Sequence, residues 1–197
     1  MSPYTYSTSN SVLKEQLKLL GESSHSEGGY FVETDRRQEE IPSPYANEAL
    51  RSLATSIYYL LDPQSSRGRL HLNKSTTYQL HHAGRALYTL LRPSDKKGEK
   101  PLIKQVVMGD SIELGEVRQL IVGGGWWKAS ELPEEDLAGH EDGERIGCLI
   151  SEVVVPGFDW HDHTFLTQKG LLELFEGDEE DEWFKKLSGY VKNQMKE

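Results

Sequence analysis

The segment RLHLNKSTTYQLHHAG, residues 69–84, is the most informative part of this chain. Polar and apolar side chains alternate along it, which predicts two short strands closed by a turn at Ala83 and Gly84. Because successive side chains of a strand point to opposite faces, one face is polar and the other is mostly apolar. The polar face comprises His71, Asn73, Thr77, Gln79 and His81, and the other comprises Leu72, Tyr78, Leu80 and His82. The polar face therefore either meets solvent or lines a wet pocket.

The composition fits one domain built mainly of strands. The chain has 197 residues, enough for a full core, and its 18 glycines and 8 prolines accompany several short alternating runs. The formal net charge of −10 argues against nucleic acid or an anionic membrane as a partner, since both require a basic surface. Cys148 is the single cysteine, which excludes an intrachain disulfide.

The sequence also predicts where the protein resides. No apolar run approaches the ~18 residues that a membrane-spanning helix needs. The N-terminal segment MSPYTYSTSN lacks the basic start and apolar centre of a signal peptide. We therefore expect a cytoplasmic or nucleocytoplasmic protein.

Helices are predicted near both ends of the chain. After a flexible polar tail of residues 1–10, a helix is expected to begin at Ser11 and to end near Gly21. Its apolar face comprises Leu13, Leu17 and Leu20. The main domain is expected to span residues 11–180, followed by a C-terminal helix over 181–197. The apolar face of that last helix comprises Trp183, Phe184, Leu187 and Val191.

Between the helices, alternation predicts a series of strands. One of them, residues 102–108, is expected to pair with 117–122 across a Gly-Asp turn. The strand over residues 27–36 is expected to lie at a sheet edge and to be exchanged between two copies, so the protein is predicted to be a homodimer. The strands are predicted over residues 30–34, 52–61, 85–91, 102–108, 117–122 and 146–155.

The spacing of the central segment resembles the first motif of the cupin superfamily, His-x-His, three or four residues, Glu, six residues, Gly. His71 and Gly84 match this motif, whereas Asn73 and Thr77 stand at its other two positions. Residues 123–128 resemble the second motif, Pro-x-Gly-x-x-His, with Lys128 at the position of the histidine. In that superfamily the three histidines and the glutamate hold a divalent metal, and one of the four is present here.

Three further segments resemble a cupin subfamily of unassigned function, the DUF985 or Cupin_5 type. They are EGGYFVET at 27–34, TSIYYLL at 55–61 and VVPGFDWHD at 154–162. The resemblance covers roughly residues 11–180. It implies an all-β, cupin-type double-stranded β-helix, or jelly-roll barrel, with short peripheral helices at both termini. It implies no particular chemistry.

A metal site is not favoured by the residues themselves. Asn73 is a poor ligand for a transition metal, Thr77 is a weak one, and a cationic Lys128 would repel the ion. A rival set in the turn at 159–163 has suitable residue types, but adjacent positions in a turn seldom converge on one ion. Asp159 and Asp162 are expected to cap turns instead. We therefore expect no metal and no cofactor.

The remaining candidate is a metal-free polar pocket for a small-molecule ligand. His71 is the expected acid or base, and Lys128 would stabilise a developing oxyanion. A bulge in the segment QLHHAG would place His82 instead of His81 on the face that lines the pocket. If Lys128 faces inward, Trp126 does too. The expected ligand-binding residues are Asn73, Thr77, Gln79, His81, Tyr59, Trp126, Glu33 and Tyr30, with Tyr59 or Trp126 as a stacking wall.

Two functions suit such a pocket. The first is a metal-independent isomerase or epimerase acting next to a carbonyl on a sugar-like substrate, by analogy with the metal-free deoxysugar 3,5-epimerases of the cupin superfamily. The second is a non-catalytic module that binds a carbohydrate or nucleotide-like molecule. A polar network with only a structural role is a further alternative.

Overall fold

Two five-stranded antiparallel sheets and one two-stranded ribbon form the fold in the computed structural model, which describes residues 5–21, 27–96, 98–138 and 143–191. The strands are β1 Tyr30–Arg36, β2 Glu40–Pro42, β3 Leu50–Ser52, β4 Thr55–Leu61, β5 His71–Asn73, β6 Thr76–Gly84, β7 Ala86–Arg92, β8 Leu102–Met108, β9 Gln119–Val122, β10 Trp127–Glu131, β11 Cys148–Val155 and β12 His163–Phe165. The first sheet has the order β1-β4-β11-β6-β9, and the second has the order β12-β5-β10-β7-β8. The predicted all-β, cupin-type architecture is confirmed.

The central segment contributes one strand to each sheet. β5 lies between β12 and β10, whereas β6 lies between β11 and β9. The five residues of the predicted polar face are all buried, so this face points into the molecule. The register of β6 against β11 shifts after His81, which leaves His82 as the bulged residue on the exposed side. The bulge is therefore present, and His81 is the histidine that faces inward.

The apolar core has two parts. One fills the space between the sheets and includes Tyr88, Met108 and Ile150. The other lies on the outer side of the second sheet, under the C-terminal helices, and includes Leu70 and Phe175. The side chains of Trp126 and Trp127 point to opposite faces of the second sheet, as strand alternation requires. Trp126 packs against the core between the sheets, and Trp127 packs against the core under the C-terminal helices.

The helices are shorter than the sequence patterns predict. The first, α1, spans Asn10–Leu17, and Lys18 ends it in a left-handed conformation with φ 57°. Leu20 therefore lies beyond the helix, bridges to Phe31 and is half exposed. Tyr6, expected in a flexible tail, donates its backbone N–H to the carbonyl of Arg145 over 3.0 Å. Residues 1–4 lie outside the described part of the chain.

Three short helices complete the fold. They are α2 Glu134–Leu137, α3 Gln168–Leu174 and α4 Glu182–Leu187. Both α3 and α4 pack on the outer face of the second sheet through Leu171, Phe184 and Leu187, and Val191 joins them there. The predicted helix over 181–197 corresponds to α4, and its last six residues lie outside the described range. No helix among the described residues is long and apolar enough to cross a membrane.

One predicted strand pairing is wrong. β8 pairs with β7 along its length, whereas β9 pairs with β6 in the other sheet. A bridge joins Met108, at the end of β8, to Val117, which lies two residues before β9. A short 3-10 helix, Ile112–Leu114, lies between them, so the connection crosses from one sheet to the other instead of forming a hairpin.

Candidate functional site

A cleft of about 460 Å³ opens where β1, β4 and β11 of the first sheet face β5 and the turn before β12. Three aromatic rings, those of Phe31, Phe158 and Trp160, supply much of its apolar wall. The polar lining comprises Glu27, Glu33, Arg36, Thr55, Asn73, Glu152, Asp159 and His161. Aromatic walls with a few polar groups suit a small polar ligand that has one flat or apolar face.

A much smaller chamber adjoins the cleft on the inner side. Its volume is about 20 Å³, and Glu27, Ile57 and Glu152 line both spaces. The chamber is also lined by Tyr59, His71, Tyr88, Lys128, Ala129 and Ser130. A space of this size holds about one water-sized group. The two carboxylates are therefore at the passage between a ligand-sized cleft and a space for a single polar atom.

Lys128 and Glu152 form the central ion pair of the chamber. Lys128 Nζ lies 2.5 Å from Glu152 Oε2, and their side chains are only 5% and 14% exposed. The ammonium group also reaches Thr77 Oγ1 at 3.4 Å, and Gln79 Nε2 donates to both Thr77 Oγ1 and Glu152 Oε2 at 3.0 Å. This network compensates the buried charges and fixes the direction of the carboxylate.

The four positions that resemble the metal-ligand positions of the cupin motifs do not suit a metal here. Lys128, in place of a histidine, is a cation whose ammonium group is bound to Glu152. Thr77, in place of the glutamate, accepts a hydrogen bond from Gln79. Asn73, at the third of these positions, is a poor ligand for a transition metal. His71 is therefore the one strong ligand among the four.

His71 is buried in β5 with a defined tautomer. Its Nδ1 lies 2.8 Å from the carbonyl oxygen of Arg69, which can only accept, so Nδ1 carries the proton and Nε2 carries the lone pair. Burial is the main cause that lowers the pKa of His71 to about 4, and Lys128 and His163 lower it further while Glu27 opposes them. The ring is therefore neutral near neutral pH.

Glu27 and His163 meet His71 on the side away from Arg69. His71 Nε2 lies 3.5 Å from Glu27 Oε2, and His163 Nε2 lies 2.6 Å from Glu27 Oε1. The two imidazole rings stack with centroids 5.2 Å apart. One nitrogen of each histidine and one oxygen of Glu27 all lie within 4.8 Å of one another. The strand pairing accounts for the meeting, because β12 pairs with β5.

The turn at 159–163 sends its two histidines in opposite directions. The His163 side chain is 1% exposed, whereas that of His161 is 88% exposed. Asp159 caps the short 3-10 helix Trp160–Asp162, as predicted. Asp162 instead forms an ion pair with Arg51 at 2.7 Å.

Several of the predicted ligand-binding residues lie at these two spaces. Asn73 and Glu33 line the cleft, although Glu33 is also paired with Arg36 at 2.7 Å. Tyr59 lines the chamber, where burial raises the pKa of its phenol far above the usual value. The structure thus brings His71, Lys128, Asn73, Thr77, Gln79, Tyr59 and Glu33 to the cleft, the chamber or the network behind them.

Three other predicted residues lie elsewhere. His81 Nε2 is 2.6 Å from the carbonyl oxygen of Gly84, near the end of β6. Trp126 packs beside Lys104, whose ammonium lies 5.1 Å from the ring centre, and Tyr30 lies under Lys14 at 4.0 Å. None of these three lines the cleft or the chamber.

The sequence patterns did not identify Glu27 and Glu152 as site residues. Each nevertheless has a signal. Glu152 is the one charged residue of the otherwise largely apolar strand CLISEVVV. Glu27 precedes two glycines with φ of 85° and 70°, and a Cβ on Gly28 would overlap the carbonyl oxygen of Arg67. This close approach holds Glu27 against the barrel.

Residues 14–166 match the family described as Cupin superfamily (DUF985), and the chain belongs to that family, which confirms the predicted resemblance. The uncharacterized protein YML079W of Saccharomyces cerevisiae is 38% identical over 170 residues, which cover 79% of this chain and 75% of the yeast protein. A hypothetical protein from Leishmania major is 30% identical with a TM-score of 0.71, covering 87% of this chain and 95% of its own. Protein SO0799 from Shewanella oneidensis shares the fold, with a TM-score of 0.71 at 20% identity and coverage of 95% and 100%.

Proposed function

We propose that this protein binds a small polar metabolite with a carbonyl group and acts on it as an isomerase or epimerase. The observation that carries this proposal is the Lys128–Glu152 pair, because Glu152 lines both the cleft and the chamber while Lys128 lines the chamber. A base and a cation lie side by side at the passage between the two spaces. Proton removal next to a carbonyl requires this combination.

The two spaces divide the ligand between them. The cleft takes the body of the ligand, whose flat or apolar face packs on the rings of Phe158 and Trp160. The chamber has room for one polar atom, which is the carbonyl oxygen in this proposal. His71 lines the chamber and not the cleft, so it meets the oxygen end of the ligand.

The chemistry then follows from the pair. Glu152, and not His71 as expected from the sequence, takes a proton from the carbon next to the carbonyl, because Glu152 lines the cleft and His71 lines only the chamber. The electrons of the broken C–H bond move onto the carbonyl oxygen to give an enolate. The Lys128 ammonium stabilises that negative charge. For the epimer, water delivers a proton to the opposite face of the same carbon, and Glu152 releases the proton that it removed to the solvent. For the isomer, the carbon that lost its proton carries a hydroxyl group; the hydroxyl proton moves to the former carbonyl oxygen, and Glu152 returns its proton to the former carbonyl carbon. The removal of the proton uses these two side chains and needs no metal.

Solvent exchange tests the proposal directly. In deuterated water, the wild-type protein is expected to remove the ¹H NMR signal of the carbon-bound proton next to the carbonyl in at least one member of a panel of free sugars, sugar phosphates and nucleotide sugars. Glu152→Gln is expected to slow this exchange by at least about 100-fold, since the amide cannot act as a base. Glu113→Gln, on an exposed 3-10 helix, is the matched control and is expected to exchange at the wild-type rate.

Two outcomes would contradict the proposal. If no member of the panel exchanges, the protein lacks the proposed activity toward these compounds. If Glu152→Gln exchanges as fast as the wild type, the carboxylate is not the base. A compound that shifts protein signals from the cleft without exchange would support the non-catalytic binding module instead. The aromatic wall of the cleft is the observation that favours this second function.

We also propose that the protein is a homodimer. β1 is the terminal strand of the first sheet, as expected for the strand that was predicted to be exchanged. Sedimentation equilibrium is expected to give about twice the chain mass of 22.4 kDa. A mass equal to that of one chain at micromolar concentration would contradict the prediction.

A further inference from the structure

We propose that Glu27, His71 and His163 form a binding site for one divalent transition-metal ion, with the Glu27 carboxylate and the Nε2 atoms of both histidines as ligands. This proposal replaces the expectation of a metal-free pocket that the sequence motifs suggest. It does not depend on the proposed isomerase activity, because the ion can be measured without a substrate.

The direction of the His71 ring is the first argument. Its Nδ1 proton is held by the carbonyl oxygen of Arg69 at 2.8 Å, so the lone pair on Nε2 faces Glu27 and His163. Metal-ligating histidines are commonly fixed in this way, with one ring nitrogen bound to a backbone carbonyl and the other free for the ion. The ring is thus oriented as a ligand without further change.

The contact between His163 and Glu27 is the second argument. Nε2 of His163 lies 2.6 Å from Glu27 Oε1, yet this nitrogen and Nε2 of His71 are both buried without a hydrogen-bond partner. The contact between His163 and Glu27 is therefore short without having the geometry of a hydrogen bond. Ligand atoms that lie close together without a hydrogen bond between them are expected where they share a metal ion.

The separations suit an ion of ordinary size. Two ligands of a tetrahedral metal with bonds of about 2.1 Å lie about 3.4 Å apart. The distance from His71 Nε2 to Glu27 Oε2 is 3.5 Å, which already matches this value. The 2.6 Å contact joins His163 Nε2 to the other oxygen of the carboxylate, Oε1, and would widen by less than about 1 Å if that oxygen also binds the ion.

Charge and shielding also favour a cation. Glu152 compensates the charge of Lys128, so Glu27 leaves the cluster with one net negative charge when both histidines are neutral. The ring of His163 is surrounded by Phe158, Trp160 and Phe165, with centroids 5.6, 5.2 and 4.7 Å away.

Two histidines and one carboxylate are the ligand set of many zinc and iron(II) sites that keep open positions. Because His71 and Glu27 also line the chamber, an ion held by them lies at the chamber wall.

The alternative to a bound ion is a protonated His163 that forms an ion pair with Glu27. Isothermal titration of the full chain, first stripped with chelator, with Zn²⁺ and with Mn²⁺ separates the two cases. The wild type is expected to bind one ion per chain, and Glu27→Gln and His163→Ala are expected to weaken binding at least about 10-fold. His82→Ala is the control, because His82 lies on the exposed side of β6 and bonds Ser151. No binding by the wild type, or equal binding by all four proteins, would overturn the proposal.

A second measurement covers the case in which a variant does not fold, as judged by circular dichroism. Pulsed EPR of the wild-type protein loaded with one equivalent of Cu²⁺ counts the imidazole nitrogens bound to the ion. Two nitrogens are expected, from His71 and His163. One or none would overturn the proposal, and the result does not depend on any activity.

Discussion

Replacement of Lys128 by methionine is expected to lower the free energy of unfolding by about 3–5 kcal/mol, because it leaves the Glu152 carboxylate buried without its cation. The two side chains are 5% and 14% exposed, so water at the edge of the cleft replaces little of the lost ammonium contact. Methionine has nearly the length of lysine and keeps the packing of the stem. The loss therefore reports on charge and not on volume. Urea unfolding followed by tryptophan fluorescence measures it.

The matched control is Lys185→Met. Lys185 also lies 2.5 Å from a carboxylate, that of Glu180, but these side chains are 55% and 89% exposed. Exposed pairs contribute roughly 0–1 kcal/mol, so this variant is expected to unfold close to the wild type. Equal losses in the two lysine variants would show that burial does not determine the cost.

A double replacement separates the ion pair from its desolvation. Lys128→Met combined with Glu152→Leu removes both charges, and it is expected to recover most of the stability that Lys128→Met loses. If the double variant is less stable than Lys128→Met, Glu152 stabilises the fold even in the absence of Lys128. The hydrogen bonds from Gln79 to Thr77 and Glu152 would then be the reason.

Local patterns in the sequence predict the strands and the buried polar face well. Alternation depends only on neighbouring residues, so it places His71, Thr77 and Gln79 on one face, and all three are buried. The motif spacing identifies the family in the same way, since it consists of short segments at fixed distances. Whether this face meets solvent or a pocket depends on which strands cover it.

The contacts between distant segments could not be predicted in this way. Alternation does not identify a partner strand, and β8 and β9 follow one another but lie in different sheets. The turn at Gly28 and Gly29 brings Glu27 to the barrel, and the pairing of β12 with β5 brings His163 to His71. These three residues are far apart in the sequence, so no local pattern predicts that they meet. Trp126 is on the predicted face, but a strand face extends beyond the cleft, and this ring packs at Lys104.

Gly84, the glycine of the first cupin-like motif, allows a quantitative test of one of these long-range contacts. Replacement by alanine is expected to lower the free energy of unfolding by about 2–5 kcal/mol in total. Its φ is 76°, a region that costs an alanine roughly 1–2 kcal/mol. A Cβ here would also overlap the carbonyl oxygen of Gly147, which accepts the Arg85 N–H at 3.0 Å. Relieving that overlap is expected to cost about 1–3 kcal/mol more.

Gly115→Ala isolates the second contribution. Gly115 has nearly the same backbone angle, with φ of 84°, but no atom lies within 4 Å of a Cβ built on it. Its replacement is therefore expected to cost only the conformational part, roughly 1–2 kcal/mol. Thermal and urea unfolding of the two variants give the difference, which measures how closely β6 and the segment before β11 approach. Equal losses would mean that Gly84 is needed for its backbone angle alone, and that Gly147 moves aside without cost.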